Sequence, residues 1–535
     1  MKQFRIQILT FLILASSACT TIDPAIISQC KQNAELANEG FIRCRDFVDG
    51  WLEYSDSITG LIPRNLTSGI NIWNAQDAAA DNYPFMVMTA AMIDREMFEG
   101  RMLEMLKTET RLTSRIGALP DTWSFTKQDF ASDEVNMNSM MFGSSEYIKD
   151  GLLPLTEWLG DSPWSERMIS ILDDMWANAM VETEYGKIVS ENMEVNGEML
   201  QALSRIYWMT GKQKYLDWAV RLGDYYLLGK QHPTRDFDWL KLRDHGCEII
   251  SGLCELYATL DHANKEKKAE YQNHIYEMLD RILETGRMAD GLFYNAINPK
   301  KGEISDNRIS DGFGYNLNGF YTVYMVDGKE EYRDATLKTL SSLQGNYNSF
   351  LWEGSSGTGS ADGYADAIEG ALNLYNREPV PSCAEWADSE IQVMWDKQQK
   401  SGIIEGWHGD GNFARTTLIY CLWKTQGVTI DPWREDVKFG AVQENGLLHL
   451  TIQAETDWEG KIIFDTPRHK TNFNLPFDWP RINQMPEWFT VEDNSTYKIK
   501  MNNESVKSTG QEMRGGIPVK LSPGKSEITC IIREK

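Results

Sequence analysis

The middle of the chain repeats an amphipathic helical pattern. From about residue 75 to residue 427, apolar residues recur at steps of three and four, and turn residues separate the runs. One stripe runs from Val195 to Tyr207, and a second runs from Tyr215 to Tyr226 after the turn 209–212. Two stripes joined by a short turn predict a helical hairpin. The same pattern predicts hairpins at 78–108, 138–180, 246–286, 313–345 and 363–397, with a last helix near 412–427.

The spacing of these hairpins favours a ring. They recur at an irregular interval of roughly fifty residues, unlike the period of about 34 residues in tetratricopeptide arrays. An open solenoid and a closed toroid share this periodicity. Six or seven hairpins with unequal loops favour closure, because the loops of one rim then gather around one cleft, and such loops usually carry function. Two long connections, 111–137 and 287–312, are rich in Gly, Asp, Trp and Asn.

The pattern changes beyond residue 431. Short segments of alternating polarity at 447–452, 461–464, 497–501 and 528–532 are separated by Gly, Pro, Asn and Asp. They predict a small antiparallel β domain. The run 472–488, rich in Pro, Trp and Phe, is interpreted as an irregular loop that packs on another part of the protein. The predicted fold is therefore mainly α, with an (α/α) toroid of six or seven hairpins over 71–430 and a C-terminal β domain over 431–535.

The first residues are typical of an exported lipoprotein. Basic residues and an apolar run over 4–15 precede small residues and Cys19, which predicts a signal peptide over 1–18 and lipidation at Cys19. Ser16 occupies the position where such signals usually have an aliphatic residue, so a cleaved form without lipid is the alternative. Residues 19–70 are interpreted as an N-terminal extension. The predicted location is the periplasm or outer membrane, with the lipid anchor as the contact with the membrane.

Charge and composition narrow the ligand classes. The net charge of −25 argues against nucleic acid, because phosphate binding needs clustered Lys and Arg. The 18 Trp and 21 Tyr residues offer flat faces on which sugar rings stack, although the same residues also fill cores. The spacing of Cys and His resembles no zinc site, and we predict neither a metal nor another cofactor. Cys30 and Cys44 are candidates for a disulfide. The pattern does not indicate an oligomeric state.

Acids and histidines stand at several predicted helix starts. Asp77 and Asp81 lie one helical turn apart on a shared face, as catalytic carboxylates or as helix-capping acids. His245 lies between Asp244 and Glu248, where a carboxylate can orient an imidazole for proton transfer. A packed histidine is the alternative at that position.

Three further helix starts add to this set. Small residues flank His408 within 405–415, so that backbone can approach a ligand, although a Gly-rich turn would look the same. The segments 311–316 and 362–369 each open with Asp-Gly and carry a Tyr. The candidate catalytic residues are His245, Asp244, Asp77, Asp81, Tyr315 and His408. The candidate substrate-binding residues are Trp73, Glu198, Glu248, Asp311, Asp362, Tyr364, Trp407 and Arg415.

Several of these helix starts resemble those of the six-hairpin glycosidases and related (α/α) toroid enzymes of Bacteroidota. The resemblance covers about residues 70–430. It is carried by Asn196-Gly197-Glu198, Arg243-Asp244-His245-Gly246, Asp311-Gly312-Phe313-Gly314-Tyr315 and Asp362-Gly363-Tyr364. That group includes β-glucuronidases, unsaturated glucuronyl hydrolases and polysaccharide lyases. The resemblance therefore implies a carbohydrate-active enzyme whose substrate is an acidic, uronate-containing oligosaccharide.

Three functions follow, and hydrolysis, as in a glucuronidase, is preferred. A protonated carboxyl group and a second carboxylate would cleave the glycosidic bond, with Asp77, Asp81, Asp244 and Glu248 as candidates. In elimination, by a lyase or an oligosaccharide dehydratase, His or Tyr removes a proton from a uronate whose carboxylate a cation neutralises. The candidates for that chemistry are His245, His408, Tyr315, Tyr364 and Arg415. The third function is a glycan-binding lipoprotein without catalysis.

Overall fold

The computed structural model describes residues 23–353, 359–501, 504–523 and 528–534. The predicted signal peptide and Cys19 lie outside these residues. Among the helices of the described ranges, none combines the length and the apolar character needed to cross a membrane.

Helices form two concentric layers. In the described part of the chain, seven helical units make the inner layer, and each packs against the next. The first unit joins the π-helical turn Ala75–Asn82 to Tyr83–Ile93, and the second joins Met137–Glu146 to Leu153–Leu159 through the π-helical turn Tyr147–Leu152. The remaining inner helices are Met193–Thr210, Glu248–Ala263, Phe313–Asp327, Ala361–Tyr375 and Asn412–Thr425.

The outer layer supplies one partner for each inner unit. Six outer helices follow their inner partners directly in the chain, as hairpins do, and they are Leu103–Thr113, Pro163–Ala177, Gln213–Gly223, Lys265–Gly286, Glu330–Asn346 and Pro381–Trp395. Every predicted hairpin and the predicted last helix are therefore confirmed. The seventh partner is the long helix Pro24–Glu53, from the segment interpreted as an N-terminal extension. It packs on the helices Asn412–Thr425 and Tyr83–Ile93.

Contact between the first and last inner units closes the ring. The helix Asn412–Thr425 packs against Tyr83–Ile93 as well as against Ala361–Tyr375. It is buried at every position, as expected for a helix enclosed on all sides by others. The predicted toroid of six or seven hairpins is thus a closed ring of seven helix pairs within the described residues.

The C-terminal part is antiparallel β structure, as predicted. One sheet has the strand order Val437–Glu444, Leu447–Ala454, Ile528–Glu534, Thr496–Met501 and Glu504–Thr509. A second sheet contains Thr429–Asp431, Trp458–Ile463 and Ile517–Leu521. The larger sheet packs on the helix Pro24–Glu53, where the Asn33 amide donates to the Ala441 carbonyl at 2.8 Å. The two ends of the described chain are therefore joined on one side of the ring.

The irregular segment 472–488, here called the axial segment, enters the centre of the ring. The Phe477 ring lies 5.7 Å from the His262 ring, near the end of an inner helix. Further along, the Trp479 indole donates to Glu255 at 3.0 Å, and Arg481 pairs with Glu157 at 2.6 Å. Asn483 hydrogen-bonds Glu369 and Asp150, which lie within two inner helical units. The axial segment therefore fills the bore of the toroid from one end to the other.

The expected disulfide is wrong. Cys30 and Cys44 are separate buried thiols on the helix Pro24–Glu53. Fourteen residues of helix separate them by about 21 Å at a rise of 1.5 Å per residue. The Cys30 thiol donates to the His449 carbonyl, and the Cys44 thiol donates to the Ala414 carbonyl.

Candidate functional site

A polar cavity opens where the inner helices begin. Its described lining comes from six of the seven inner units and from the tip of the axial segment. The lining residues are Asp81, Lys149, Asp150, Glu248, Tyr315, Asp362, Asp366, His408, Asn412, Arg415, Ile482 and Asn483. The convergence of helix starts explains why residues as distant in sequence as Asp81 and Arg415 line one cavity.

One wall of the cavity holds an imidazole–carboxylate pair. The Nε2 atom of His408 lies 3.5 Å from Asp81, and its Nδ1 atom lies 2.9 Å from the Gly409 carbonyl oxygen. A carbonyl accepts only, so Nδ1 carries a proton and Nε2 faces Asp81. Burial disfavours the charged imidazole, but Asp81 and Asp77 outweigh it and raise the pKa of His408 above its ordinary value. The pair therefore favours an imidazolium beside a carboxylate.

Asp77 lies behind this pair and is held by a cation. Arg64 donates to the Asp77 carboxylate at 2.5 Å, and the Asn74 amide donates to the same oxygen. The Arg64 guanidinium also lies 5.1 Å from the centre of the Trp407 ring. Trp407 is 77% exposed, so most of its aromatic surface faces solvent beside His408. Asp77 is thereby engaged in an ion pair, and Trp407 offers an open surface at the rim.

A carboxyl group with a raised pKa, that of Asp362, lies on the adjacent wall. Burial first, and then the charges of Asp366 and Asp410, raise the pKa of Asp362 well above its ordinary value. The Asn412 amide donates to one Asp362 oxygen at 2.6 Å. Burial likewise raises the pKa of Asp410 to about 6. Asp362 is therefore a carboxyl group that lines the cavity and whose protonated form is favoured by its surroundings.

Arg415 forms the centre of a buried network beneath Asp362. It pairs with Asp366 at 2.8 Å and with Glu369 at 3.1 Å. The Tyr315 hydroxyl donates to Asp366 at 2.8 Å and also to Glu369. Burial raises the pKa of Tyr315 well above its ordinary value, and Asp366 and Glu369 raise it further against the opposing charge of Arg415. Tyr315 is therefore a neutral hydrogen-bond donor in this network.

Lys149 forms a second network on the opposite side. Its ammonium group donates to Asp150 at 2.6 Å and to Glu248. The Gln201 amide donates to the other Glu248 oxygen. Although burial disfavours the charge of Lys149, Asp150 and Glu248 outweigh it and raise the pKa of Lys149 well above its ordinary value. Lys149 therefore stays charged between its two acids.

Asn483, from the axial segment, joins the two networks. Its side-chain amide donates to Asp150 at 2.7 Å, and its side-chain oxygen accepts from Arg415 at 2.9 Å. Its backbone N–H donates to Glu369 at 2.7 Å. The φ angle of Asn483 is 60°, a left-handed conformation that Asn tolerates better than most residues. The floor of the cavity is thus built by a loop that belongs to the C-terminal part of the chain.

The structure brings together many of the predicted site residues. Asp81, Glu248, Tyr315, Asp362, His408 and Arg415 line the cavity, and Asp77 lies directly behind it. Trp407 lies at the rim. The roles assigned to these residues remain predictions. The side chains of Asp244 and His245 lie outside the described residues, and only their backbone is described, in the 3₁₀ turn Asp244–Cys247.

Four predicted binding residues do not line the cavity. Trp73 and Tyr364 are 2% and 1% exposed and pack in the hydrophobic core, so neither ring is open to a sugar. Asp311 is buried and accepts a hydrogen bond from the N–H of Gly312. Glu198 is fully buried behind Lys149. Their helix-start positions were correctly predicted, but each side chain turns into the protein.

Other lining residues were missed in the sequence. Lys149 and Asp150 lie in the middle of a predicted helix, at its π-helical turn, and that position carried no signal of a helix start. Ile482 and Asn483 lie more than 50 residues beyond the toroid in sequence. Their signal was the unusual composition of 472–488, which predicted packing but not the partner.

Four described groups have metal-ligating geometry, with ligand atoms within 4.8 Å of one another. Asp77, Asp81 and His408 form one such group in the cavity, but Arg64 already neutralises Asp77. The other groups are His232 with His274 and Glu277, His469 with Asp478 and Glu487, and Glu146 with Glu194 and Glu198.

No family model and no curated protein matches this sequence. The chain is similar in structure to an inactive variant of an α-1,6-mannanase of Salegentibacter sp. HEL1_6 in complex with α-1,6-mannotetrose, with 12% identity, 71% of this chain and 97% of that chain covered, and a TM-score of 0.40. It is also similar to a family 76 mannosidase of Bacteroides thetaiotaomicron. The identity is 13%, the match covers 72% of this chain and 98% of that chain, and the TM-score is 0.39. A third similar structure is that of a possible member of family GH105 from Salmonella enterica. The identity is 14%, the match covers 53% of this chain and 81% of that chain, and the TM-score is 0.38.

Proposed function

We propose that this protein hydrolyses glycosidic bonds, with Asp362 as the general acid and Asp81 as the second carboxylate. The observation that carries the proposal is that a carboxyl group with a raised pKa and a carboxylate paired with an imidazole line one cavity. Glycoside hydrolysis needs that combination, because one group must give a proton while the other stays charged.

Asp362 is suited to protonate the departing oxygen. Its raised pKa favours the protonated form, and its position at the cavity lining exposes it to a ligand. Asn412 donates to one of its oxygens, which leaves the other oxygen as the site of the transferable proton. A carboxylic acid whose pKa lies near the working pH transfers a proton most effectively.

Asp81 is suited to direct water or to attack the sugar. The His408 imidazolium lies 3.5 Å away and favours the charged carboxylate. A negative charge there also stabilises the positive charge that develops on the sugar ring as the bond breaks. His408 is a positioning residue in this scheme, because it acts through Asp81.

The charge balance of the cavity favours hydrolysis over elimination. Elimination from a uronate needs a cation to neutralise the substrate carboxylate and a base to remove a proton. The cations of the described lining are already paired, since Lys149 binds Asp150 and Glu248, Arg415 binds Asp366, and the His408 imidazolium faces Asp81. Tyr315 holds its proton tightly and is a poor base.

The substrate of the proposal is an oligosaccharide that rests on Trp407. An exposed indole beside the proposed catalytic groups is a surface on which a sugar ring can stack. The uronate substrate implied by the sequence resemblance stays a prediction. Export as a lipoprotein anchored at Cys19, in the periplasm or outer membrane, is likewise part of the proposal, and its evidence is the sequence of residues 1–19.

Product analysis on a panel of neutral and uronate-containing oligosaccharides tests the proposal. We expect new reducing ends without the ultraviolet absorbance of an unsaturated uronate. Absorbance that rises with the reducing ends would overturn hydrolysis in favour of elimination. Binding by calorimetry without any product, on every glycan of the panel that binds, would instead identify a glycan-binding protein.

A further inference from the structure

Three glutamates meet behind the Lys149 side of the cavity. Glu146 ends the helix Met137–Glu146, Glu194 lies in the first turn of Met193–Thr210, and Glu198 follows one turn later. One carboxylate oxygen of each lies within 4.8 Å of the others. Glu146 and Glu198 are 2% and 0% exposed, whereas Glu194 is half-buried. This glutamate cluster therefore connects the protein interior with the surface.

In the part of the chain that the structure describes, Glu198 has no ion-pair partner of its own. Both of its carboxylate oxygens are buried and have no hydrogen-bond partner among the described residues. The nearby cation is Lys149, whose ammonium group binds Asp150 and Glu248 instead. A buried ionised carboxylate without a partner is strongly unfavourable, and buried charges are normally paired or coordinate a metal.

Two arrangements would remove this cost. The first is protonation, since burial and the neighbouring carboxylates raise the pKa of both Glu146 and Glu198 well above the ordinary value. The second is a bound cation, which would neutralise the three carboxylates together. The two arrangements differ in what the protein responds to, because protonation depends on pH alone and a cation site depends on the metal concentration.

We propose that Glu146, Glu194 and Glu198 bind a divalent cation of the calcium type. Carboxylate oxygens are the ligands of hard cations, and Ca²⁺ accepts an irregular set of them at 2.3–2.6 Å. Mg²⁺ is disfavoured because it demands near-ideal octahedral geometry and keeps several waters. The cluster contains neither imidazole nor thiolate, the ligands that suit transition metals such as Zn²⁺. The half-buried Glu194 provides the route from solvent.

The cation would fix one wall of the cavity. Glu146 immediately precedes the π-helical turn Tyr147–Leu152, which carries Lys149 and Asp150. Glu198 lies one turn before Gln201, which donates to Glu248. A cation held between these two helices would clamp both of them at the level of the Lys149 network without touching a ligand in the cavity.

The test measures binding and thermal unfolding of the whole protein after removal of metal by chelation. We expect Ca²⁺ to raise the melting temperature in a concentration-dependent manner, and calorimetry to detect one site that binds Mg²⁺ at least tenfold more weakly. Glu198→Gln should abolish both signals. Glu194→Gln, at a half-buried position that a folded protein tolerates, should weaken Ca²⁺ binding at least tenfold. Glu191→Gln is the matched control, because Glu191 is exposed, lies three residues before Glu194 in sequence, and does not belong to the cluster.

The outcomes distinguish a glutamate cluster that binds a cation from one whose carboxyl groups are protonated. Equal Ca²⁺ responses in the wild type, Glu191→Gln and Glu194→Gln would overturn the site, as would no Ca²⁺ response at all. A melting temperature that changes with pH but not with Ca²⁺ would identify the cluster as protonated acids. These readouts need no substrate, so they stand or fall independently of the proposed hydrolysis.

Discussion

Asn483 lies between two clusters of acidic side chains, and each cluster surrounds a cation of its own. On one side, Arg415 binds Asp366 and Glu369 below Asp362, and on the other Lys149 binds Asp150 and Glu248 in front of Glu198. Each side has more acids than its cation can neutralise. In both, burial is the largest cause of a raised carboxyl pKa, for Asp362 and for Glu198.

The two surplus acids differ in access and in partners. Asp362 lines the cavity and accepts a hydrogen bond from Asn412, so its environment holds a protonated acid ready for a ligand. Glu198 is fully enclosed and has no hydrogen-bond partner among the described residues. The comparison teaches that a raised pKa alone does not define a function. We propose proton transfer for Asp362 because it is accessible from the cavity. We propose cation binding for Glu198 because it is enclosed beside two other carboxylates.

The largest expected effect is on the Asp362 side. Asp362→Asn replaces a neutral acid with a neutral amide of the same shape, so the fold should persist while kcat/KM on an oligosaccharide falls about 10²- to 10⁴-fold. Steady-state kinetics and thermal unfolding measure the two properties. Asp133→Asn, at an exposed position, is the matched control and should change neither. Wild-type activity in Asp362→Asn would show that Asp362 does not transfer a proton, so that it would no longer differ from Glu198 in function.

The link between the two sides is tested at Asn483. Asn483→Gly keeps the left-handed backbone but removes hydrogen bonds to Asp150 and Arg415. Each hydrogen bond to a charged group contributes about 1.5–3 kcal/mol, so the loss of two should lower the free energy of unfolding by about 3 kcal/mol or more. Denaturant titration measures the change. Asn474→Gly, at an exposed position with a φ of 56°, is the control in the same segment. Equal stability of the two variants would show that the bridge is energetically unimportant.

Trp407 tests whether substrate lies at the rim beside His408 and Asp81. Trp407→Ala should raise KM by up to about tenfold, because aromatic stacking contributes about 0.5–1.5 kcal/mol. The free energy of unfolding should change by less than about 0.5 kcal/mol, as expected for an exposed residue. Trp239→Ala is the control, since Trp239 is 55% exposed elsewhere. A KM that rises equally in both variants would argue against a specific platform at Trp407.

The smallest effect is a pH dependence from His408. Its pKa is raised in the folded protein, so its contribution to stability is complete below the ordinary histidine pKa of about 6.5 and is lost as the pH rises through the folded pKa. Unfolding titrations across this range should show wild-type stability declining relative to His408→Gln. Parallel curves would mean that the imidazolium–Asp81 pair does not stabilise the fold.

The helical ring was predictable because its signal is local. Periodic apolar stripes predicted every consecutive hairpin, and alternating segments predicted four of the described C-terminal strands. The seventh outer helix was not predicted, because Pro24–Glu53 pairs with a helix at the other end of the chain. The axial segment was predicted to be an irregular loop that packs on another part of the protein, but no periodicity in 472–488 indicates its place in the ring or that Arg481 pairs with Glu157.

The part of the candidate site that lies at helix starts was predictable, because the starts of the inner helices of a toroid lie close together. That rule placed Asp81, His408, Tyr315, Asp362 and Arg415 in one region without any knowledge of side-chain direction. It failed for Trp73 and Tyr364, because a helix or strand terminus can turn an aromatic ring into the core. Whether a side chain faces the cavity depends on packing against distant elements, which a single sequence does not contain.

The measurement that tests the central claim most directly compares leaving groups. Once the panel has identified the sugar, kcat/KM is measured on its oligosaccharide and on an aryl glycoside whose acidic phenol departs without protonation. Asp362→Asn should lose about 100-fold or more on the oligosaccharide and little on the aryl glycoside, whereas Asp81→Asn should lose activity on both. An equal loss on both substrates in Asp362→Asn would contradict its role as the acid of this cavity.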